Sequence, residues 1–125
     1  MKNLFKFLLL LTALTAISLP AKAAQLLMLE QDGCPYCDRW KADIGVFYHK
    51  TSEGKRAPLR LIDIHDKLPD DLEGLKLGRY TPTFVLMDKG KEVGRLRGYI
   101  SEDFFWGLLG QMMKKIPNET TPVGG

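Results

Sequence analysis

Beyond its first two dozen residues the chain reads as short apolar runs separated by turn-forming polar clusters. Gln25 to Glu30, QLLMLE, has the length and character of a buried strand, and Gln31-Asp32-Gly33 breaks it. From Pro35 the period changes. Cys37, Trp40, Ile44 and Phe47 recur at spacings of three and four, which places them on one face of a helix. Thr51 to Pro58, TSEGKRAP, is polar and carries Gly54 and Pro58, so it predicts a loop. Leu59 to Ile64 predicts a second strand. Between Asp66 and Arg79, Pro69, Gly74 and Gly78 leave room for a short helix around Asp70 to Leu75.

After Pro82 the run TFVLM, Thr83 to Met87, is rich in strand-forming residues. Asp88-Lys89-Gly90 predicts a hairpin turn, and Glu92 to Tyr99 the returning strand. Ser101 is placed to cap a helix that has Glu102 and Asp103 in its first turn and Lys114 and Lys115 in its last, matching the helix dipole. On that helix Phe104, Leu108 and Met112 form one row, and Phe105, Leu109 and Met113 the adjacent one. Two of its aromatics, Phe104 and Phe105, are explained by packing, which leaves Trp106, off the main rows, as the surface candidate. Pro117 ends the helix. The order is β-α-β, a connection, then β-β-α.

The first residues carry an address rather than structure. Lys2 and Lys6 precede a mostly apolar stretch, Phe7 to Leu19, and Ala21-Lys22-Ala23 follows with small residues flanking a cleavage point. That is the order of a secretory signal peptide, and the apolar run is shorter than the roughly 20 residues of a spanning helix. The expected organisation is therefore a signal peptide over 1–23, one domain over 24–116 and a loose tail over 117–125. Cleavage near Ala23 would deliver the domain, without a membrane span, to a bacterial periplasm. Charge supports this division. The net charge of +3 is that of Lys2, Lys6 and Lys22; removing them from the 18 basic residues leaves 15, against 15 acidic ones. A domain with no basic excess is not built for nucleic acid.

Chemistry concentrates in Cys34-Pro35-Tyr36-Cys37, between a predicted strand and a predicted helix. There Cys34 sits at a helix N-terminus, where unpaired N–H groups and the dipole favour a thiolate. Pro35 suits the first turn, where its missing N–H costs nothing. Cys37 lies one turn further in, on the apolar face with Trp40 and Ile44. An exposed, ionisable sulfur beside a buried one is what two-step exchange needs: Cys34 attacks a partner disulfide, and Cys37 resolves the mixed disulfide. A zinc site would want two further ligands, and His49 and His65, both expected at the surface, are too far apart in sequence to supply the usual pair. Haem attachment needs a histidine where Asp38 stands. A purely structural disulfide would close a loop too short to constrain the unfolded chain much. Copper(I) held between the two thiolates is the alternative of another class. Arg39 and Lys41 flank the helix start, where they could favour the thiolate, meet an acidic partner or form a solvated face.

A β-α-β-β-α chain with CPYC after the first strand and Thr81-Pro82-Thr83 opening the third resembles the thioredoxin superfamily over essentially all of Gln25 to Ile116. The resemblance implies an α/β thioredoxin fold: a central mixed four-stranded sheet flanked by helices, with Pro82 cis before the third strand. It implies that Thr81 and Pro82, with Tyr36, form the substrate platform beside Cys34 and Cys37, and that a monomer works with no cofactor and no metal. More closely, EQDGCPYCDRW, EGKRAPLRLIDI and RYTPTFVLMDKGKEVGRLRGYISEDFFWGLL resemble the periplasmic thioredoxins of bacterial sulfur-oxidation gene clusters. That likeness implies a reductase that keeps a partner protein cysteine reduced, drawing electrons from a membrane thiol transporter. A disulfide oxidase or isomerase, and a glutathione-linked enzyme of the CPYC glutaredoxin kind, are the alternatives within the class, although Arg97-Gly98-Tyr99 poorly matches the glutathione-holding glycines. One departure stands out. Where thioredoxins carry a buried acid six positions before the first cysteine this chain has Met28, with Leu61 in place of the accompanying lysine and Glu30 nearby.

Overall fold

The computed structural model describes residues 23–117; nearly all of the expected signal peptide and of the expected tail lies outside them. Four strands form one mixed sheet in the order β2-β1-β3-β4. β1, Gln25–Glu30, runs parallel to β2, Leu59–Asp63, and antiparallel to β3, Thr83–Asp88. β4, Lys91–Arg97, returns alongside β3. A two-residue turn joins them, with Lys89 and Gly90 both at positive φ, 51° and 77°. Such a turn matches the twist of the flanking strands. A register shift between Leu86 and Met87 marks an irregularity in this hairpin.

β1 has no solvent face, which is why its sequence is a continuous apolar run. Leu26 and Met28 point to one side, into a cluster with Trp40, Ile44, Phe84, Leu86, Phe105 and Leu109. Leu27 and Leu29 point to the other, against Ile62, Leu72, Val85 and Met87. Burial of each such side chain contributes roughly 1.5–3 kcal/mol. The first cluster lies under α1, Pro35–Trp40, and α3, Glu102–Met113. Ile64, Leu68, Leu75 and Leu77, from the segment between β2 and β3, cover the second. Within that segment the expected short helix reduces to one tight turn, Asp70–Leu72. Glu73 at its end is extended, and Gly74 follows at φ +83°.

Thr51 to Pro58 is a correction. It contains α2, Ser52–Arg56, rather than a loop. Thr51 caps it through its hydroxyl, which accepts the Gly54 N–H at 2.9 Å. Gly54 is not a breaker here but a close approach: a Cβ at that position would lie 1.9 Å from the Tyr48 carbonyl oxygen. Arg56 then reaches across to the C-terminal end of α3, donating to the Ile116 carbonyl at 2.7 Å.

α3 begins at Ser101, whose hydroxyl accepts the Phe104 N–H at 3.3 Å. Lys114 stands at its C-cap, with Lys115 just beyond. The buried stripe is Phe105, Leu109, Met112 and Met113, continued by Ile116. The expected surface role of Trp106 does not hold. Its ring stacks on Tyr48, with centroids 6.1 Å apart and planes 12° from parallel, and it also packs against Phe47. The exposed aromatic on this helix is Phe104. The helix lies over the ring cluster around Trp40, which pulls Trp106 inward and turns Phe104 out.

Candidate functional site

The site forms at one end of the sheet, where three loops meet. The first leaves β1 and becomes α1. Its Cys34 is the N-cap residue, with extended backbone, and its sulfur accepts the Cys37 N–H at 3.2 Å. Pro35 occupies the start of the helix. Cys34 and Cys37 are joined in a disulfide, with Cα atoms 5.2 Å apart. The expected contrast between an exposed and a buried sulfur is smaller than the sequence suggested: Cys34 is 6% exposed and Cys37 1%. Part of the reason lies in the second loop, which brings Thr81 onto Cys34.

That second loop enters β3 through a cis Thr81–Pro82 bond. The Thr81 hydroxyl donates to the Cys34 sulfur at 3.3 Å, and Pro82 is buried. The third loop follows β4. The Gly98 N–H donates to the Pro82 carbonyl at 2.7 Å, so it is tied to the second loop beside the disulfide. Tyr36 between the cysteines, Tyr80 beside Thr81 and Ile100 beyond Gly98 are strongly exposed. Three large apolar groups therefore stand in water on the three segments that build the site.

Below the cysteines, α1 passes into a wider turn, Lys41–Gly45, in which the Val46 N–H bonds back to the Lys41 carbonyl. Such five-residue turns are common near functional sites. Arg39 and Lys41 are not free cations. Arg39 pairs with Asp43 at 3.6 Å and lies over the Tyr99 ring. Lys41 pairs with Glu30. Burial, and then the hydrogen bond to Asp43, push the Tyr99 phenol up to about 12. Met28 is fully buried, so the place of the thioredoxin acid is apolar, and its neighbour on β2, Leu61, is about half exposed. Glu30, two residues along the same strand, has its charge engaged by Lys41.

His49 and His65 are both exposed, and among the described residues no cluster of three His, Cys, Asp or Glu side chains could hold a metal. His65 is nevertheless not isolated. Its Nε2 lies 3.0 Å from Gln31 Oε1, and Gln31 Nε2 donates to the Thr81 hydroxyl at 2.8 Å. In the sequence Gln31 belongs to the strand break, and no local pattern marks it. The signal that could have found it is register: the parallel pairing of Glu30 with Asp63 brings the residues just beyond each strand side by side. A surface depression of about 710 Å³ between the 71–78 segment and β4, lined by Asp71, Glu73 and Arg95 among others, contains neither cysteine.

A family model described as a thioredoxin-like domain matches residues 12–113. Among solved structures, the periplasmic thioredoxin SoxS from Paracoccus pantotrophus, in its reduced form, is 47% identical; the match covers 74% of this chain and 97% of that one, with a TM-score of 0.70. A thioredoxin from Thermus thermophilus is 24% identical over 74% of this chain and 75% of its own, with a TM-score of 0.56. Fasciola hepatica thioredoxin, at 18% identity, covers 72% and 81% with the same TM-score. These last two show the fold alone. No curated protein matches the chain significantly.

Proposed function

The chain belongs to the thioredoxin-like family and is a thiol–disulfide oxidoreductase; on that premise we propose that it is a periplasmic reductase that keeps a partner protein cysteine of a sulfur-oxidation system reduced. Cys34 is the nucleophile and Cys37 the resolving thiol. Tyr36, Thr81 and Pro82 form the platform for the partner chain, whose extended backbone would pair with the backbone groups at Thr81. The observation that carries this reading is the setting of the Cys34 sulfur. It caps the helix N-terminus and accepts two hydrogen bonds, from the Cys37 N–H and the Thr81 hydroxyl. In the reduced protein both donors favour the thiolate, the form that attacks.

The exchange balances in two steps. The Cys34 thiolate attacks one sulfur of the partner disulfide; a mixed disulfide forms and the partner's other sulfur leaves as a thiolate. Deprotonated Cys37 then attacks Cys34, forming the Cys34–Cys37 disulfide and releasing the second partner thiol. The partner gains two electrons and two protons, and this protein is oxidised. A membrane thiol donor restores the dithiol. The likeness to the periplasmic thioredoxin SoxS supports a periplasmic setting; the sulfur-oxidation partner rests on the sequence resemblance, and export as the mature domain 24–116 agrees with the leader pattern of the sequence.

Insulin reduction and partner trapping test this assignment. Cys34→Ser abolishes exchange, whereas Cys37→Ser accumulates a mixed disulfide that is released only by added thiol. Undiminished insulin reduction by the Cys34 variant would refute it. Direction is read from the reduction potential. A value near that of thioredoxin, about −270 mV, fits a reductase, and one near −120 mV would instead assign a disulfide donor.

A further inference from the structure

We infer that Gln31, held by His65, is a positioning residue that commits the Thr81 hydroxyl proton to the Cys34 sulfur. The inference rests on the proposed nucleophilic role of Cys34 and adds to it a control outside the CPYC and cis-proline motifs. Three contacts form one line: His65 Nε2 to Gln31 Oε1 at 3.0 Å, Gln31 Nε2 to Thr81 Oγ1 at 2.8 Å, and Thr81 Oγ1 to Cys34 Sγ at 3.3 Å.

Donor counting fixes the direction of the line. A threonine hydroxyl has one proton to give and lone pairs that accept. When the Gln31 amide N–H faces Thr81, the hydroxyl accepts from it, and its own proton is left for the sulfur. When the amide is turned over, its oxygen faces Thr81 and competes for that proton, and Cys34 loses the donor. The orientation of one side-chain amide therefore decides whether the thiolate is solvated from this side. His65 sets that orientation. With a proton on Nε2, as imidazolium or as that neutral tautomer, it donates to an amide oxygen and holds the amide nitrogen toward Thr81. Every donor in the line then points toward the sulfur, an arrangement in which each bond strengthens the next.

The partners come from separate parts of the chain. Gln31 follows β1, His65 follows β2 and Thr81 precedes β3. His65 is anchored in turn, since its backbone N–H donates to Asp63 Oδ1 at 2.8 Å. Gln31 is half-buried and His65 exposed, so either can be replaced without opening the core. Because the line stabilises the thiolate, it stabilises the reduced protein and makes the disulfide more oxidising.

The test uses the purified reduced protein, with the pH midpoint of Cys34 alkylation and the equilibrium constant with glutathione as readouts. Gln31→Leu removes the amide that polarises the Thr81 hydroxyl but leaves that hydroxyl free to donate to the sulfur. Its midpoint therefore rises by roughly half a unit, a fraction of the roughly one to two units expected when a hydrogen bond to a charged sulfur is lost outright. Its equilibrium constant moves up to about threefold toward the protein disulfide; tenfold would correspond to about 30 mV for a two-electron couple. Gln31→Glu keeps the shape but presents only acceptors to Thr81, and it shifts both readouts further in the same direction. Thr81→Val, which deletes the hydroxyl alone, gives at least the Gln31→Leu shift. His65→Leu gives part of that shift, and His65→Gln, which restores a side-chain donor, recovers the parent values. Midpoints unchanged from the parent in folded Gln31→Leu and Gln31→Glu would overturn the inference, and an unchanged midpoint in His65→Leu would remove His65 from it. Insulin reduction by the unmodified protein is scored separately. Its failure would count against the proposed function, while the alkylation midpoints would still decide the hydrogen-bond line.

Discussion

The same substitution, glycine to alanine inside a helix, should have opposite effects at two positions of this fold. Alanine is favoured over glycine in a helix by about 1 kcal/mol. At Gly107, in the exposed face of α3, an added Cβ meets nothing within 4 Å, so Gly107→Ala should realise most of that gain. At Gly54, in α2, it would lie 1.9 Å from the Tyr48 carbonyl oxygen and 2.7 Å from its carbon. Both are backbone atoms, which cannot rotate aside. Relief requires the two segments to part by more than 1 Å, and that carbonyl also accepts the Thr51 hydroxyl at 2.6 Å and the Thr51 N–H at 3.0 Å. Overpacking of this kind costs about 1–3 kcal/mol, and each compromised hydrogen bond about 1 kcal/mol more. After the propensity gain, Gly54→Ala should lose roughly 2–4 kcal/mol. For a domain of this size each kcal/mol moves the melting temperature by about 4–8 °C. Thermal unfolding followed by far-ultraviolet circular dichroism should therefore place Gly54→Ala at least about 10 °C below the parent and Gly107→Ala a few degrees above it. A Gly54→Ala protein that melts at or above the parent would refute the close-approach reading of α2.

Two further outcomes follow from the core and from the flank of α1. Phe105 is 1% exposed and makes edge contacts with Phe84 and Trp40, so Phe105→Ala should cost about 3–5 kcal/mol, read as a lower urea midpoint. The Tyr99 phenol is raised from 10.0 to about 12 by burial and by its hydrogen bond to Asp43. A group held protonated in the folded state contributes stability that is complete below its unfolded pKa and is lost as pH rises through the folded one. The Tyr99 contribution should therefore persist to pH 10 and fade toward pH 12, and in Tyr99→Phe the ultraviolet titration should lack one phenol ionising near pH 12.

What the sequence made legible was whatever its local pattern determines. β1 is buried on both faces and is written as a continuous apolar run; Cys37, Trp40 and Ile44 recur at helical spacing and are buried together. Ser101 caps where a short polar residue precedes two acids. Local pattern failed where a distant backbone decides. Gly54 is the same letter whether it breaks a helix or lets one pack against Tyr48, and only the position of that carbonyl distinguishes them. Trp106 and Phe104 lie two positions apart with the exposure opposite to that expected, because the rings around Trp40 select which side of α3 faces inward. The Trp40 ring nitrogen is buried with no hydrogen-bond partner among the described residues, so within them the indole is held by ring packing rather than by a polar contact.

The site divides in the same way. Its reactive pair is contiguous in sequence and could be read directly, whereas its surroundings are assembled by topology. Parallel pairing of β1 with β2 sets Gln31 beside His65, and antiparallel pairing of β1 with β3 brings the segment before Thr83 up to the same end of the sheet. No motif spacing encodes that meeting, since Gln31, His65 and Thr81 lie 34 and 50 positions apart along the chain as counted from Gln31. The CPYC motif alone therefore underdetermines how readily Cys34 ionises. Two proteins with the same four residues but different side chains at the ends of β1 and β2 should differ in thiolate stability. Transplanting a leucine into position 31 measures that difference with the motif held constant.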